Sequence, residues 1–345
     1  MKAIRDRKEL FALLRSVSES NRKYFSRYGS WKSPQIKVFW IEVNEKYINN
    51  LIAFSEAIKI DKNLFEIYYE DDRYWLDTSD KRIWQIFTLA KTESAEKMIR
   101  NKITKYRGAD RLWFTEKFME KIQNHFGYTN RGFGIKFKDG LSFEKPVSYF
   151  SAKLWIGKSY TSRQKKLLET ARDTFSISTI RFGINESQDD TNISGKLYEL
   201  YYSGHLTVTT CDDLEDTFLL LNYIKKSYRR EIEFLEREFM KKPNFVEVIF
   251  SEKIDRNGFA VISSIGKGNL KLWLEPYEED GDLTRYAGVD LHTGDFVQID
   301  LADDYSYLSA SKGACMNFAP RFGTLASRYM TAGTRIMYDG VDLFA

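Results

Sequence analysis

Five acids within eleven residues, Glu70, Asp71, Asp72, Asp77 and Asp80, form a cluster of potential metal ligands. Carboxylates grouped in this way hold Mg²⁺, which serves phosphate-ester cleavage. The same residue types favour turns and helix starts, so the group also reads as a turn and a cap. A nuclease core needs a further acid and a lysine on a neighbouring strand; Glu247 and Lys253, on a strand expected over 246–254, are the available pair. Gly157-Lys158-Ser159 stands between an expected strand and an expected helix, the context of a phosphate loop. The position that should carry the first glycine is Ala152, and Leu154-Trp155-Ile156 are bulky, so bare backbone amides are lacking. His205 and Cys211 are six residues apart on one strand, about 20 Å, too far for one metal. His125 ends a helix, where the dipole favours an imidazolium, and His292 falls in a turn. No C-x-x-C, H-E-x-x-H or G-x-S-x-G pattern occurs, so no catalytic residue, metal site or cofactor is assigned.

The basic residues carry more. Arg163, Lys165 and Lys166 open a helix expected over 162–175, just after Lys158. Cations there oppose the helix dipole at about 0.3–1 kcal/mol each, which a bound phosphate would offset. Lys225, Lys226, Arg229 and Arg230 span about 140° on one side of a long helix. Arg22, Lys23 and Arg27 decorate the second half of the first helix. Aromatics interleave with these cations: Tyr24, Tyr28, Trp31, Tyr106, Trp113 and Tyr160. Solvated faces of amphipathic helices account for the same charges without a ligand. Arg131-Gly132-Phe133-Gly134-Ile135-Lys136-Phe137 resembles the strand motif of RNA-recognition modules with one aromatic missing, and Val38–Ile41 is the candidate companion strand. The missing residue moves every later side chain to the other strand face.

The elements that must position these groups follow from periodicity. Apolar residues at helical spacing predict helices over 6–28, from Asn44 to Ile58, from Ser79 or Asp80 to about Tyr106, from Thr115 to Gly127, and from Asp212 or Asp213 to about Met240. Strands are expected at 35–43, 64–69, 73–76, 135–137, 141–143, 147–156, 176–184 and 196–211, the last folded at Ser203-Gly204. Lys138-Asp139-Gly140 reads as a hairpin turn. Beyond Lys242-Pro243-Asn244 come three more turn signals: Arg256-Asn257-Gly258, His292-Thr293-Gly294-Asp295 and Tyr338-Asp339-Gly340. One further helix is expected within Ala314–Met330.

The fold expected is therefore α+β: a mixed region over 1–242, with a possible subdivision near 128–131, then a mainly β, hairpin-rich domain over 243–345, a small barrel or sandwich. The charge divides at the same place. Residues 1–242 hold 44 Lys/Arg against 34 Asp/Glu, and residues 243–345 hold nine against 15. The aromatic share of 15% fits a strand-rich core. Two cysteines are too few for a disulfide framework, and the N-terminus lacks a secretory apolar segment, which together predict a cytoplasmic protein. No run of 18 apolar residues spans a membrane. Three function classes stay open: a nucleic-acid-binding protein or subunit of a nucleoprotein assembly using the basic and aromatic surfaces; a metal-dependent nuclease or other phosphate-ester enzyme using the Glu70–Asp80 acids; and a non-catalytic subunit that docks a protein partner through the acidic 243–345 region.

Overall fold

The computed structural model describes residues 3–28, 34–47, 56–139, 148–155, 177–185, 195–211, 213–241, 244–254, 270–329 and 333–345, with isolated positions between 162 and 170. The chain is α+β, with antiparallel strands in open sheets and a mainly β C-terminal region. It begins with α1 (Arg7–Tyr28), β1 (Ile36–Val43), β2 (Ile58–Asp61), β3 (Leu64–Tyr69), β4 (Asp72–Asp77) and β5 (Ile83–Thr88). Next come α2 (Thr92–Met98), which continues as a π-helical turn over Ile99–Ile103, then β6 (Ala109–Arg111) and α3 (Glu116–His125). The remaining strands of the first sheet follow: β7 (Thr129–Asp139), β8 (Ser148–Trp155), β9 (Ile177–Asn185), β10 (Gly195–Tyr201) and β11 (His205–Thr210). The long α4 (Leu214–Lys241) precedes β12 (Val246–Phe250), β13 (Leu272–Asp280), β14 (Leu283–Asp290), β15 (Phe296–Leu301) and β16 (Tyr305–Ala310). The chain closes with α5 (Phe318–Tyr329), β17 (Thr334–Tyr338) and β18 (Val341–Leu343).

Two compact units result, one of residues 1–112, 126–130 and 181–226, the other of residues 113–125, 131–180 and 227–345. In the first, the strand order is β2-β3-β4-β5-β1-β11-β10-β9, with β6 also on β1. β1 is central because its sequence, IKVFWIEV, is buried at all eight positions and pairs with β5 and β11. One sheet face gathers Phe39, Ile41, Val43, Trp84 and Ile86 with Ala95, Met98, Ile99 and Ile103 of α2 and its π turn. The expected β3–β4 hairpin, the β10–β11 hairpin about Ser203-Gly204 and the long α4 all form.

Some expectations change. The helix expected from Asp80 to Tyr106 is a strand, β5, followed by a shorter helix. The Asp80 carboxylate accepts the backbone N–H groups of Arg82 and Ile83 and turns the chain into β5, where IWQIFT buries both faces. A strand buried on both faces carries a continuous apolar run, and that run also fits a stripe of period 3.6. Asn44 caps only a 3₁₀ turn over Glu45–Tyr47, and Ile58 already belongs to β2. Lys138 and Asp139 do not turn; they stay in β7, opposite Tyr149 and Ser148 of β8. The expected strand 141–143 lies outside the described residues, as do most of the helix expected over 162–175 and the Arg256-Asn257-Gly258 turn.

In the second unit, the sheet order β13-β14-β15-β16-β12-β17-β18 leaves β13 and β18 as edges, so the hairpins build an open sheet and no closed barrel. One face is apolar: Leu272, Leu274, Val297, Ile299, Leu308, Val248 and Ile336 are buried. α5 covers it, crossing so closely that a Cβ on Gly323 would stand 3.3 Å from Ile336. The turns at 292–295 and 338–340 form as expected, and Asp339 and Gly340 both take positive φ, the type I′ hairpin geometry.

Candidate functional site

The Glu70–Asp80 acids are dispersed into separate structural bonds. Asp72 and Asp77 stand at opposite ends of β4, about 17 Å apart. Glu70 pairs with Lys97 at 2.5 Å. Asp72 accepts from the Ser94 hydroxyl at 2.7 Å, and Asp77 binds Arg7 through both guanidinium nitrogens. Asp80 caps β5 and faces Lys225 at 3.9 Å. No common metal position unites them.

The basic residues are likewise divided. Arg131 is buried, and burial draws its guanidinium below the ordinary arginine value. Phe133 and Ile135 beside it are buried too, so neither side chain offers an open stacking platform. The partners of this strand are β8 and β9, whereas β1, the expected companion, pairs with β5, β11 and β6. Arg229 pairs with Glu233 at 2.6 Å and Arg230 with Glu231 at 3.2 Å. Lys23, Arg27, Lys226, Arg230, Arg163 and Lys166 are exposed and Arg22 is half-buried, while Lys158 and Lys165 lie outside the described residues. Trp113 is a core residue, and Tyr106 packs against the α2 core.

Among the described residues another constellation of chemical groups lies on the sheet face of the first unit beyond the α2 core. Strand register builds it in two rows. In one row Phe39 of β1 pairs with His205 of β11, which pairs with Tyr201 of β10. The imidazole is held between two rings, with centroids 4.0 Å from Tyr201 and 4.8 Å from Phe39. Two residues along, Lys37, Thr207 and Glu199 form the next row, and Arg181 of β9 reaches Glu199 at 3.7 Å. Lys37, Arg181, His205, Thr207 and Thr209 are all buried.

His205 is oriented from three sides. Its Nδ1 lies 3.1 Å from the Ser203 hydroxyl and 3.6 Å from Glu96 Oε1. Glu96 rises from α2 one turn before the π-helical segment, an insertion often found at functional sites. Its other oxygen accepts from Arg111 of β6, whose guanidinium also donates to the Glu96 backbone carbonyl at 3.4 Å. The Glu96 side chain is 33% exposed, so solvent reaches the constellation along that edge.

The tight turn that places Ser203 and His205 depends on Gly204. Its φ is +70°, and a Cβ there would stand 2.2 Å from the Leu112 carbonyl oxygen. The Gly204 carbonyl accepts from Trp40 N–H at 3.0 Å, tying the turn to β1.

Electrostatics mark the same face. Burial draws the Lys37 ammonium below its ordinary value, against the pull of Asp72 and Glu199. Burial also lowers the Arg181 guanidinium, opposed by Glu199 and Tyr201. The Tyr201 phenol is pushed far up by burial and then by Glu199, whose carboxylate accepts its hydrogen bond at 2.6 Å. The face thus presents an oriented imidazole, two carboxylates and three cations within one sheet and its covering helix.

Of these residues the sequence reading touched only His205, weighed with Cys211 as a metal ligand, and Phe39, within the candidate companion strand, and neither in this role. One signal was available: a turn at Ser203-Gly204 sets Tyr201 opposite His205. Phe39, Glu96 and Arg111 arrive from three distant segments and leave no local trace. The second unit holds another buried polar group about the turn expected at 292–295. Arg321 and Asp290 pair at 2.6 Å with side-chain exposures of 0% and 1%. His292 is fully buried, and its ring nitrogen and the Cys315 thiol lie within 4.8 Å of each other.

Among the described residues no helix is long and apolar enough to cross a membrane. The chain is 23% identical over 346 residues to a protein of Methanocaldococcus jannaschii whose name is "Uncharacterized protein MJECL33", with 83% of this chain and 82% of that one covered. A family model described as MJECL33-like protein matches residues 1–342, and the chain therefore belongs to the MJECL33-like protein family.

Proposed function

We propose that the first unit binds a small anionic ligand beside an acid–base centre at His205. The observation that carries this reading is the orientation of the imidazole: a carboxylate and a hydroxyl at Nδ1, the carboxylate anchored by Arg111, and an aromatic ring on each face. The Ser203 hydroxyl at 3.1 Å orients the ring, and the Glu96 carboxylate, at 3.6 Å an ionic and not a hydrogen-bond contact, favours a proton on the imidazole. Lys37 and Arg181 in the neighbouring row favour a ligand with negative charge, a phosphate or carboxylate. Two buried cysteines, neither in a disulfide, fit a reducing, cytoplasmic setting.

Thermal unfolding with inorganic phosphate, a nucleoside monophosphate and citrate tests the reading. A ligand that binds the native state raises the midpoint, and about 1 kcal/mol of binding linkage corresponds to roughly 2–4 °C for a unit of this size. The wild-type chain should gain this shift with at least one of the three anions, and a Lys37→Met, His205→Gln double variant should not. Equal shifts in both proteins would reduce the effect to general ion stabilisation and remove the proposal.

A second reading is favoured by one surface feature. Lys23 and Arg27 are exposed one helical turn apart on α1, as Lys226 and Arg230 are on α4. We propose these pairs as phosphate-backbone contacts for a nucleic acid, the ligand class that the basic composition of residues 1–242 suggests.

A further inference from the structure

The seven-stranded sheet of the second unit has an outer face unlike an ordinary solvated sheet surface. Trp273, Tyr277 and Phe296 are 57%, 53% and 52% exposed, and Phe245 is 45% exposed. Register places them together. Trp273 of β13 pairs with Val289 of β14, which pairs with Phe296 of β15. Tyr277 accepts from the Gln298 amide of β15 at 2.8 Å. Phe245 stacks on Tyr307 of β16 with centroids 4.2 Å apart, and Tyr307 meets Tyr305 at 4.8 Å. The aromatic band thus runs from β13 to β16, three strand spacings or about 14 Å.

Acids are interspersed on the same face. Glu275 shares a cross-strand row with Ala287, Gln298 and Ser309. Asp300 opposes Tyr307, which opposes Glu247. Glu278 pairs with Arg285 at 2.5 Å, and Asp300 lies 4.0 Å from the same guanidinium. Exposed aromatics rimmed by carboxylates attract cations twice, by charge and by the negative faces of the rings. Four exposed rings gathered on one sheet face, Phe245, Trp273, Tyr277 and Phe296, are also the composition of an interface centre rather than of free surface.

The edge of the sheet is closed to strand addition. β13 carries Pro276, a register shift between Pro276 and Glu278, and Glu278, Glu279 and Asp280. Proline, bulges and charge are the devices that keep an edge from pairing with another chain. On this side of the sheet a partner therefore lies across the face and not along β13.

We propose that this face docks an arginine- or lysine-rich segment of a partner protein, its cations over Trp273, Tyr277 and Tyr307 and paired with Glu275, Asp300 and Glu247. This proposal stands apart from the His205 reading and uses none of its residues.

Fluorescence anisotropy of labelled deca-arginine and deca-lysine on the full chain tests it, with deca-glutamate as control. Saturable binding of deca-arginine that weakens as salt rises is expected, together with a loss of at least tenfold in Trp273→Ala/Tyr277→Ala and in Glu275→Lys/Asp300→Lys. Glu19→Lys, an exposed acid on α1, should bind as wild type. Equal weakening by Glu19→Lys would mean diffuse charge attraction and overturn the proposal, as would full affinity in the aromatic double variant. Sedimentation of the same proteins gives the other occupant its chance: a concentration-dependent dimer abolished by Trp273→Glu would assign the face to a second copy of this chain and overturn the proposal. Circular dichroism of each variant confirms that a loss is not unfolding.

Discussion

Arg111 donates to Glu96, and Glu96 faces the Nδ1 of His205. The Arg111 side chain is 11% exposed, so removing its partner strands a cation that water reaches poorly. Arg111→Met and Glu96→Gln should each destabilise the chain, and the double variant should cost less than their sum. Urea denaturation of the four proteins should give a coupling of about 0.5–3 kcal/mol; strict additivity would mean that the pair is not formed in solution. Asp77 offers a pH test. Burial alone would raise its carboxyl, but bonds from Arg7 and the Ser79 backbone N–H outweigh burial and hold it below the usual carboxylate value. A carboxyl depressed in the folded state stabilises above its unfolded value and loses that contribution as pH falls through the folded one. Wild type should therefore exceed Asp77→Asn in stability by about 1–3 kcal/mol at neutral pH, and the gap should close below roughly pH 4. A gap that stays constant down to pH 2 would place Asp77 outside an ion pair.

Elements decide where these groups meet. The β10–β11 turn sets Tyr201 against His205, and its geometry rests on a left-handed glycine pressed against a carbonyl. Gly204→Ala should cost at least about 2 kcal/mol, since the φ penalty and the contact with Leu112 act together. Denaturant titration measures the loss, and disappearance of Tyr201–His205 ring contacts by NMR would locate it. Gly281→Ala is the comparison: its φ is +56°, yet a Cβ there meets nothing within 4 Å, so only the φ penalty applies. Equal losses in the two variants would show that the Leu112 contact contributes nothing. The α2 helix has a parallel role, since it carries Glu96 to the sheet while its Ala95 and Met98 bury in the adjoining core.

At the scale of the whole molecule, the charge division makes a distinct prediction. If α1 and α4 contact a nucleic acid, affinity should fall linearly on a log–log plot as salt rises, and Lys23→Glu/Arg27→Glu should flatten the slope by about two contacts' worth. Binding that is absent even at about 50 mM salt would end that reading. The sequence by itself determined the α+β class, the β3–β4 and β10–β11 hairpins, the length of α4 and the turns about Gly294 and Gly340, because each rests on local periodicity or on a backbone angle that few residues adopt. It misassigned β5 because IWQIFT satisfies either period until a neighbouring strand is present on each side. The candidate site was hidden for the same reason. Phe39, Glu96, Arg111 and His205 are spread over 167 residues of chain, and only antiparallel register brings them together. Local patterns record what a segment prefers; which side chains face one another across a sheet is settled by pairing between segments, and only the tertiary structure fixes that pairing.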